Sequence, residues 1–524
     1  MTKDLLLLNA NIWGYSPNLV DCLLIQDGKI SAARSWQDLK KVAKSGTQEL
    51  DLNGRTVWPG LCDFHLHLQN LSDQLSAVDC ETDSLQECLH RLAQRAEETP
   101  AGQWIIGYGW NHNAWQPAEY GSASDLDAVS TRHPMLLHAK SLHASWVNTS
   151  ALNLAGLDAN TTDPEKGIIL RDSTGKPSGI LLEYATLMVE KYLPKPSPED
   201  TATKIFHTQK YLHEMGITAV HDFDRWQSAE ALLLLAERGE LKLRVSKNLP
   251  SEDLDRVLAE NWRQKLQKPC FLKAGWIKTF ADGALGPQSA AMLEPYENSQ
   301  ELGMLLLSAE QLADLGKKAA HAGWPISVHA IGDRAVWEML DGFQILREYE
   351  KKRGLPPLPH RIEHVQLIHH NDLARMAALG IVASVQPIHA PSDMHTAQRH
   401  WGTRSQFAYA YNSMIDNHIE LRFGSDAPVE SANPFIGIHA AVTRRRQDGQ
   451  PGPNGWYPDQ RVPLEKTILA YSQPLPGYGQ LPLSPGSPAD LIVLDQDPFD
   501  LDPQELWKLK PSLTMLEGEI VFSR

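Results

Sequence analysis

The middle of this 524-residue chain alternates short apolar runs with helical stretches, and that repeat constrains its fold more than any other feature. Ile217-Thr218-Ala219-Val220, Leu243-Arg244-Val245, Gly275-Trp276-Ile277-Lys278 and Ile326-Ser327-Val328 read as buried strands. So do Arg361-Ile362-Glu363, Ile381-Val382-Ala383 and Leu421-Arg422-Phe423, and the run Pro59-Gly60-Leu61-Cys62-Asp63-Phe64 before His65 adds an eighth. Helical patterns such as 312–322 and 372–379 lie between some of them. Repeated strand–helix units on this scale predict a parallel (β/α)8 barrel. Periodicity alone leaves a doubly wound parallel sheet as the competing architecture.

Both ends of the chain have a different texture. Residues 1–60 carry short strand-like runs at Leu5-Leu6-Leu7-Leu8, Cys22-Leu23-Leu24-Ile25 and Thr56-Val57-Trp58, with Asp27-Gly28 as a hairpin signal. The far end repeats this with Ala489-Asp490-Leu491-Ile492-Val493-Leu494 and Ile520-Val521-Phe522, after a Pro- and Gly-rich stretch at 474–488. We therefore expect a composite β-sandwich from residues 1–60 plus 475–524, flanking a barrel domain at 61–474. The interval from about 80 to about 200 is too long for one strand–helix connection and reads as an insertion after the first barrel strand, covering the barrel mouth. Its tryptophans (Trp104, Trp110, Trp115, Trp146) suit that role and equally suit the core of an ordinary packed subdomain.

A formal charge of −15 argues against nucleic acid or an anionic membrane as partner. Five scattered cysteines without a C-x-x-C pair argue against a disulfide framework or a zinc knuckle. No apolar run approaches the roughly 20 residues that span a bilayer, and the start lacks a signal-peptide pattern. The expectation is a cytoplasmic protein acting on a small-molecule substrate; a homodimer is compatible with it.

The candidate strands end in chemistry. The first runs into His65-Leu66-His67, whose two imidazoles project to the same side of an extended chain. Val328 is followed by His329, Glu363 by His364, and Phe423-Gly424-Ser425 by Asp426. In a (β/α)8 enzyme, residues at the C-terminal strand ends converge on one face. Four imidazoles and a carboxylate there make a ligand set for zinc, iron or manganese. Lys278 also ends an apolar run, where an unpaired ammonium is costly. It either pairs with an acid such as Asp282 or stays neutral and takes up carbon dioxide as a metal-bridging carbamate.

These residues, in this order, resemble the amidohydrolase superfamily of metal-dependent hydrolases. The likeness extends to the closing Pro485-Gly486-Ser487-Pro488-Ala489-Asp490-Leu491-Ile492-Val493-Leu494. Trp104-Ile105-Ile106-Gly107-Tyr108-Gly109-Trp110, His143-Ala144-Ser145-Trp146-Val147-Asn148 and the run from Ile277-Lys278-Thr279-Phe280 to Gly286 resemble the subgroup of N-substituted formamide deformylases. The resemblance implies a barrel plus composite β-sandwich and one or two divalent ions, zinc first among them. It implies that Lys278 is N-carboxylated and bridges two ions, with His65, His67 and Asp426 completing one position and His329 and His364 the other. It also points to His143 as a substrate contact, although Ser141-Leu142 stands where relatives often have Asp-Gly; a structural role for His143 is the alternative.

The expected reaction is metal-dependent hydrolysis of a non-peptide C–N bond, with Asp426 moving the proton. Deamination of an amino-substituted ring at a single metal is the alternative within enzymes. A catalytically silent binding barrel is the alternative outside them.

Overall fold

In a computed structural model the described residues are 4–140, 143–268, 271–472 and 483–524. Ser141, Leu142, Cys270 and most of the 474–488 stretch lie outside them. The chain divides into two compact units: Met1–Gln69 with Ile205–Arg524, and Asn70–Lys204.

The first unit is built on an eight-stranded parallel sheet. In chain order its strands are Leu61–Leu66, Ile217–Asp222, Arg244–Pro250, Leu272–Phe280, Ile326–Ala330, Arg361–His364, Val382–Val385 and Leu421–Phe423. Each pairs in parallel with its neighbours in sequence, the order a barrel requires. All eight sequence-predicted strands are present. They are legible because strands covered on both faces read as apolar runs. Helices such as Trp226–Arg238, Ala309–Ala320, Asp333–Arg353 and His370–Ala378 return the chain between strands.

The last strand is tied to the first just beyond its end. The Asp426 N–H donates to the His65 carbonyl at 2.7 Å, and the His67 N–H donates to the Ala427 carbonyl at 2.8 Å. Asp63 accepts from the Ser425 N–H and hydroxyl at 3.0 and 2.5 Å. Gly424 sits in this seam, where an added Cβ would stand 2.5 Å from the His65 nitrogen. Only glycine permits that approach.

Two further sheets of this unit form a sandwich. One uses Lys29–Arg34, Cys22–Gln26, Leu5–Leu8 and Gln48–Asp51; the other joins Asn11–Ile12 and Thr56–Pro59 to Leu491–Leu494, Pro511–Leu516 and Glu519–Ser523. Leu7, Leu23, Ile25 and Val57 share one core with Leu491, Val493 and Met515, so both chain ends bury the same apolar surface. Arg244, at the start of the third barrel strand, clamps this sandwich through ion pairs to Asp490 (2.5 Å) and Glu517 (2.8 Å).

The second unit carries its own six-stranded sheet of Val78–Asp79, Ile105–Trp110, Met135–Ala139, Ala144–Val147, Gly167–Arg171 and Pro177–Glu183. Trp110, Trp115 and Trp146 are fully buried in its core. Each indole N–H reaches a carbonyl, of Leu137 (2.8 Å), Thr82 (3.1 Å) and Ser122 (2.8 Å) respectively. That is the packed-subdomain role anticipated for such residues. Among the described residues no helix is long and apolar enough to cross a membrane.

Candidate metal centre

Six of the seven sequence-predicted site residues lie in the first unit, on or just beyond strand ends. His65 is the penultimate residue of the first strand, and His67 follows its last residue, Leu66. Lys278 stands near the end of the fourth, His329 of the fifth and His364 of the sixth; Asp426 lies three residues past Phe423 of the eighth. His364 and Asp426 both hold left-handed backbone conformations, with φ of 74° and 60°. Such strain in non-glycine residues collects at functional sites.

Asp426 Oδ1 stands 3.4 Å from His65 Nε2 and 3.4 Å from His67 Nε2. A tetrahedral zinc with ligand bonds of about 2.1 Å separates two donors by about 3.4 Å, so the two edges of this trio that meet at Asp426 have the length such an ion imposes. Burial alone would raise the Asp426 carboxyl, but His65, His67, His364 and His389 outweigh it and hold the group well below its usual range.

Each imidazole has one nitrogen tied, and the partner decides which nitrogen is left over. His65 Nδ1 meets Glu363 Oε2 at 2.7 Å, His67 Nδ1 meets Asp224 Oδ1 at 3.3 Å, and His364 Nδ1 meets Gln386 Oε1 at 2.8 Å. An oxygen on Nδ1 selects the tautomer whose Nε2 lone pair is open to a cation. His329 is reversed: its Nε2 bonds the Gly283 carbonyl at 2.9 Å and leaves Nδ1. Burial and the neighbouring Lys278 push the His329 imidazole down to about 3, so it is neutral at pH 7. Burial, reinforced by His329 and His65, also holds His364 well below its usual value. The His364 ring lies 4.8 Å from that of His65 and 4.6 Å from that of His329, centroid to centroid.

Lys278 does not pair with Asp282. The Asp282 carboxylate instead accepts the backbone N–H groups of Ala291, Ile331 and Gly332 at 2.8–3.0 Å. Among the described residues Lys278 Nζ has no hydrogen-bond partner, and it lies 5.1 Å from the Phe223 ring and 4.7 Å from the Phe280 ring. Burial, against Glu363 and Asp426, brings its pKa down to about 8. An orphaned buried amine beside neutral imidazoles fits a cation site that also takes an anionic group on that nitrogen.

Sequence reasoning missed four contributors. Glu363 was visible as the third residue of a predicted strand, yet its role comes from a partner 298 residues away. Asp224 and Gln386 are single polar residues past strand ends, with nothing local to mark them. His389 opens the helix after the seventh strand, and its donor atom lies within 4.8 Å of those of His364 and Asp426. The remaining predicted residue, His143, belongs to the second unit, where it is exposed and pairs with Glu183 at 3.1 Å.

A model of the amidohydrolase family matches residues 48–522 of this chain. Bacillus subtilis YtcJ is 30% identical, with 96% of each chain covered. The N-substituted formamide deformylase of Arthrobacter pascens is 26% identical, covering 100% of this chain and 99% of its own. The crystal structure of a metal-dependent hydrolase from Pyrococcus furiosus superposes with a TM-score of 0.76 at 26% identity, over 95% of this chain and all of that one.

Proposed function

This chain belongs to the amidohydrolase family, and we propose that it hydrolyses a non-peptide C–N bond, an amide, in a small molecule. The observation that carries this reading is the 3.4 Å spacing of Asp426 Oδ1 from two imidazole nitrogens whose other nitrogens are held by carboxylates. In this reading His65, His67 and Asp426 hold one divalent ion, zinc first among the candidates. His329 and His364 would hold the second, and the N-carboxylated form of Lys278 would give both an anionic ligand.

A divalent ion supplies Lewis acidity toward a carbonyl and a lowered pKa for water bound to it. The rest of the chemistry belongs to the side chains. Neutral Lys278 Nζ attacks carbon dioxide and releases a proton, giving an N-carboxylated, anionic side chain. Phe223 and Phe280 line that position and keep bulk water from the amine. Asp426, held ionised, takes the proton of the attacking water and returns it to the departing nitrogen, so that each C–N bond broken consumes one water. His143 is assigned as a substrate contact. Four of the five cysteines are free and buried, which supports a reducing compartment, and we place the reaction in the cytoplasm.

The test is metal analysis of the purified protein combined with a panel of small amides and esters, N-substituted formamides first because of the Arthrobacter pascens relative. The expected result is one or two zinc equivalents and turnover of at least one amide. A zinc-loaded protein silent on amides but releasing ammonia from an amino-substituted ring would overturn amide hydrolysis in favour of deamination. Carbon-13 NMR of the intact protein supplied with labelled bicarbonate would register the carbamate as a carbonyl resonance lost in Lys278→Ala.

A further inference from the structure

The two groups of imidazoles differ in what grips their far nitrogens. His65 is held by Glu363, a fully buried carboxylate whose other oxygen forms a 2.5 Å ion pair with Arg361 and accepts the Ser327 hydroxyl at 2.6 Å. Arg361 is fixed in turn: it lies 4.1 Å over the Trp276 ring and donates to His221 Nδ1 at 2.7 Å. His67 is held by Asp224, which also accepts the Gln69 N–H at 2.5 Å. Behind it, Lys247 and Asp222 form a fully buried ion pair at 2.6 Å. His364 and His329 have neutral partners instead, the Gln386 amide oxygen and the Gly283 carbonyl. Asp282 comes no nearer to His329 than 3.6 Å, and its oxygens are taken up by three backbone N–H groups.

A carboxylate behind an imidazole fixes its tautomer and makes it a more basic ligand than an amide or carbonyl does. Removing such a partner typically costs 10–100-fold in metal affinity. Asp426 is shared, since it also lies within 4.8 Å of the His364 and His389 donors, but its 3.4 Å contacts are with His65 and His67. We infer that the two cation positions are unequal by construction: the His65–His67–Asp426 position fills first and tightly, with Glu363 and Asp224 as its positioning residues, and the His329–His364 position fills second and exchanges readily. This rests on the ligand assignment under Proposed function, but not on which bond is hydrolysed.

The experiment is a zinc titration of the metal-depleted full chain against a chromophoric chelator. The wild-type chain is expected to show two affinity classes at least 10-fold apart. Glu363→Gln should weaken the tight class by about 10–100-fold and leave the weak class unchanged. Because that change leaves Arg361 without its partner, Asp224→Asn serves as a second probe with the same expectation. Gln386→Glu should move the other way and tighten the weak class alone. Two equal classes, loss of both classes together in Glu363→Gln and Asp224→Asn, or no change in either variant would overturn the inference. Should only one ion bind, His364→Ala must keep it; its loss would also overturn the inference. A silent amide panel would sink the hydrolytic reading and leave this titration untouched.

Discussion

The barrel sheet and the sheet of the Asn70–Lys204 unit both carry histidines at or beside strand ends, and they use them in opposite ways. His133 in the second unit is fully buried with both ring nitrogens engaged: Nδ1 with the Ser130 hydroxyl at 2.8 Å, Nε2 with the Thr99 carbonyl at 3.0 Å. His138 is stacked on Tyr108 with centroids 4.7 Å apart and sits 3.3 Å from the Ser145 hydroxyl. Among the described residues neither belongs to a group that could hold a metal ion. In the barrel, His65, His67, His329 and His364 each have one nitrogen held by a protein oxygen, and the first two turn the other toward Asp426 at 3.4 Å. Burial and residue type do not separate the two groups. Convergence does: the barrel imidazoles gather on one carboxylate and on each other, with His364 4.8 Å from His65 and 4.6 Å from His329.

The strongest way to break this contrast is to remove the proton carrier from the barrel and an anchor from the insertion. Asp426→Asn keeps the shape and an oxygen donor but loses the charge and the basicity. Turnover is expected to fall about 10³–10⁴-fold with most of the metal retained; near-normal turnover would remove Asp426 from the mechanism. Trp146→Ala is the counterpart. Gly121 lies so close beneath this indole that a Cβ there would meet it at 2.3 Å, so its void has a rigid wall. The expected cost is about 3–5 kcal/mol of stability, read from a urea melt, with metal content per folded molecule unchanged. Metal loss in soluble Trp146→Ala protein would mean that the two regions are not separable in this way.

The same contrast explains what the sequence reveals. Eight apolar runs and the polar residues that end them are local signals, so the barrel and His65, His67, Lys278, His329, His364 and Asp426 were all visible. Glu363, Asp224 and Gln386 were not, because their meaning lies in pairings across 298, 157 and 22 residues. His389 was hidden for a related reason. Gln386-Pro387-Ile388 separates it from the strand ending at Val385, so it does not close the apolar run as the other histidines do. In the second unit the aromatic richness of the sequence was equally plain, but composition alone could not tell a packed core from a binding surface.

A gentler probe is pH. Burial brings the His138 imidazole down to about 4, against roughly 6.5 for an exposed histidine. A depressed folded-state pKa favours the neutral ring, so its contribution is intact above pH 6.5 and is lost as pH falls toward 4. Metal-depleted protein should therefore lose on the order of 1–3 kcal/mol across that window, and His138→Asn should flatten the slope of the urea midpoint against pH. An unchanged slope in the variant would assign the acid lability to other buried imidazoles, His329 and His213 first, which burial brings down to about 3 and about 4.

The smallest expected effect decides whether any histidine of the insertion takes part in the chemistry. The His143 side chain is 73% exposed and pairs with Glu183 at 3.1 Å. Exposed pairs of this kind contribute about 0–1 kcal/mol, so His143→Ala should leave the melting midpoint within error of wild type. Its metal content should also be unchanged, because the ligands assigned here all lie in the other unit. If the imidazole touches substrate at its solvent-facing edge, the loss is one weak hydrogen bond. KM should then rise about three- to tenfold, equivalent to about 0.6–1.4 kcal/mol, with kcat little changed because the contact is equal in ground and transition states. A KM identical to wild type on the best amide of the panel would make His143 a solvated surface residue, like the other histidines of its sheet in taking no part in the reaction. A fall in kcat without a change in KM would instead put it among the groups that act in the transition state, and the contrast between the two sheets would no longer hold.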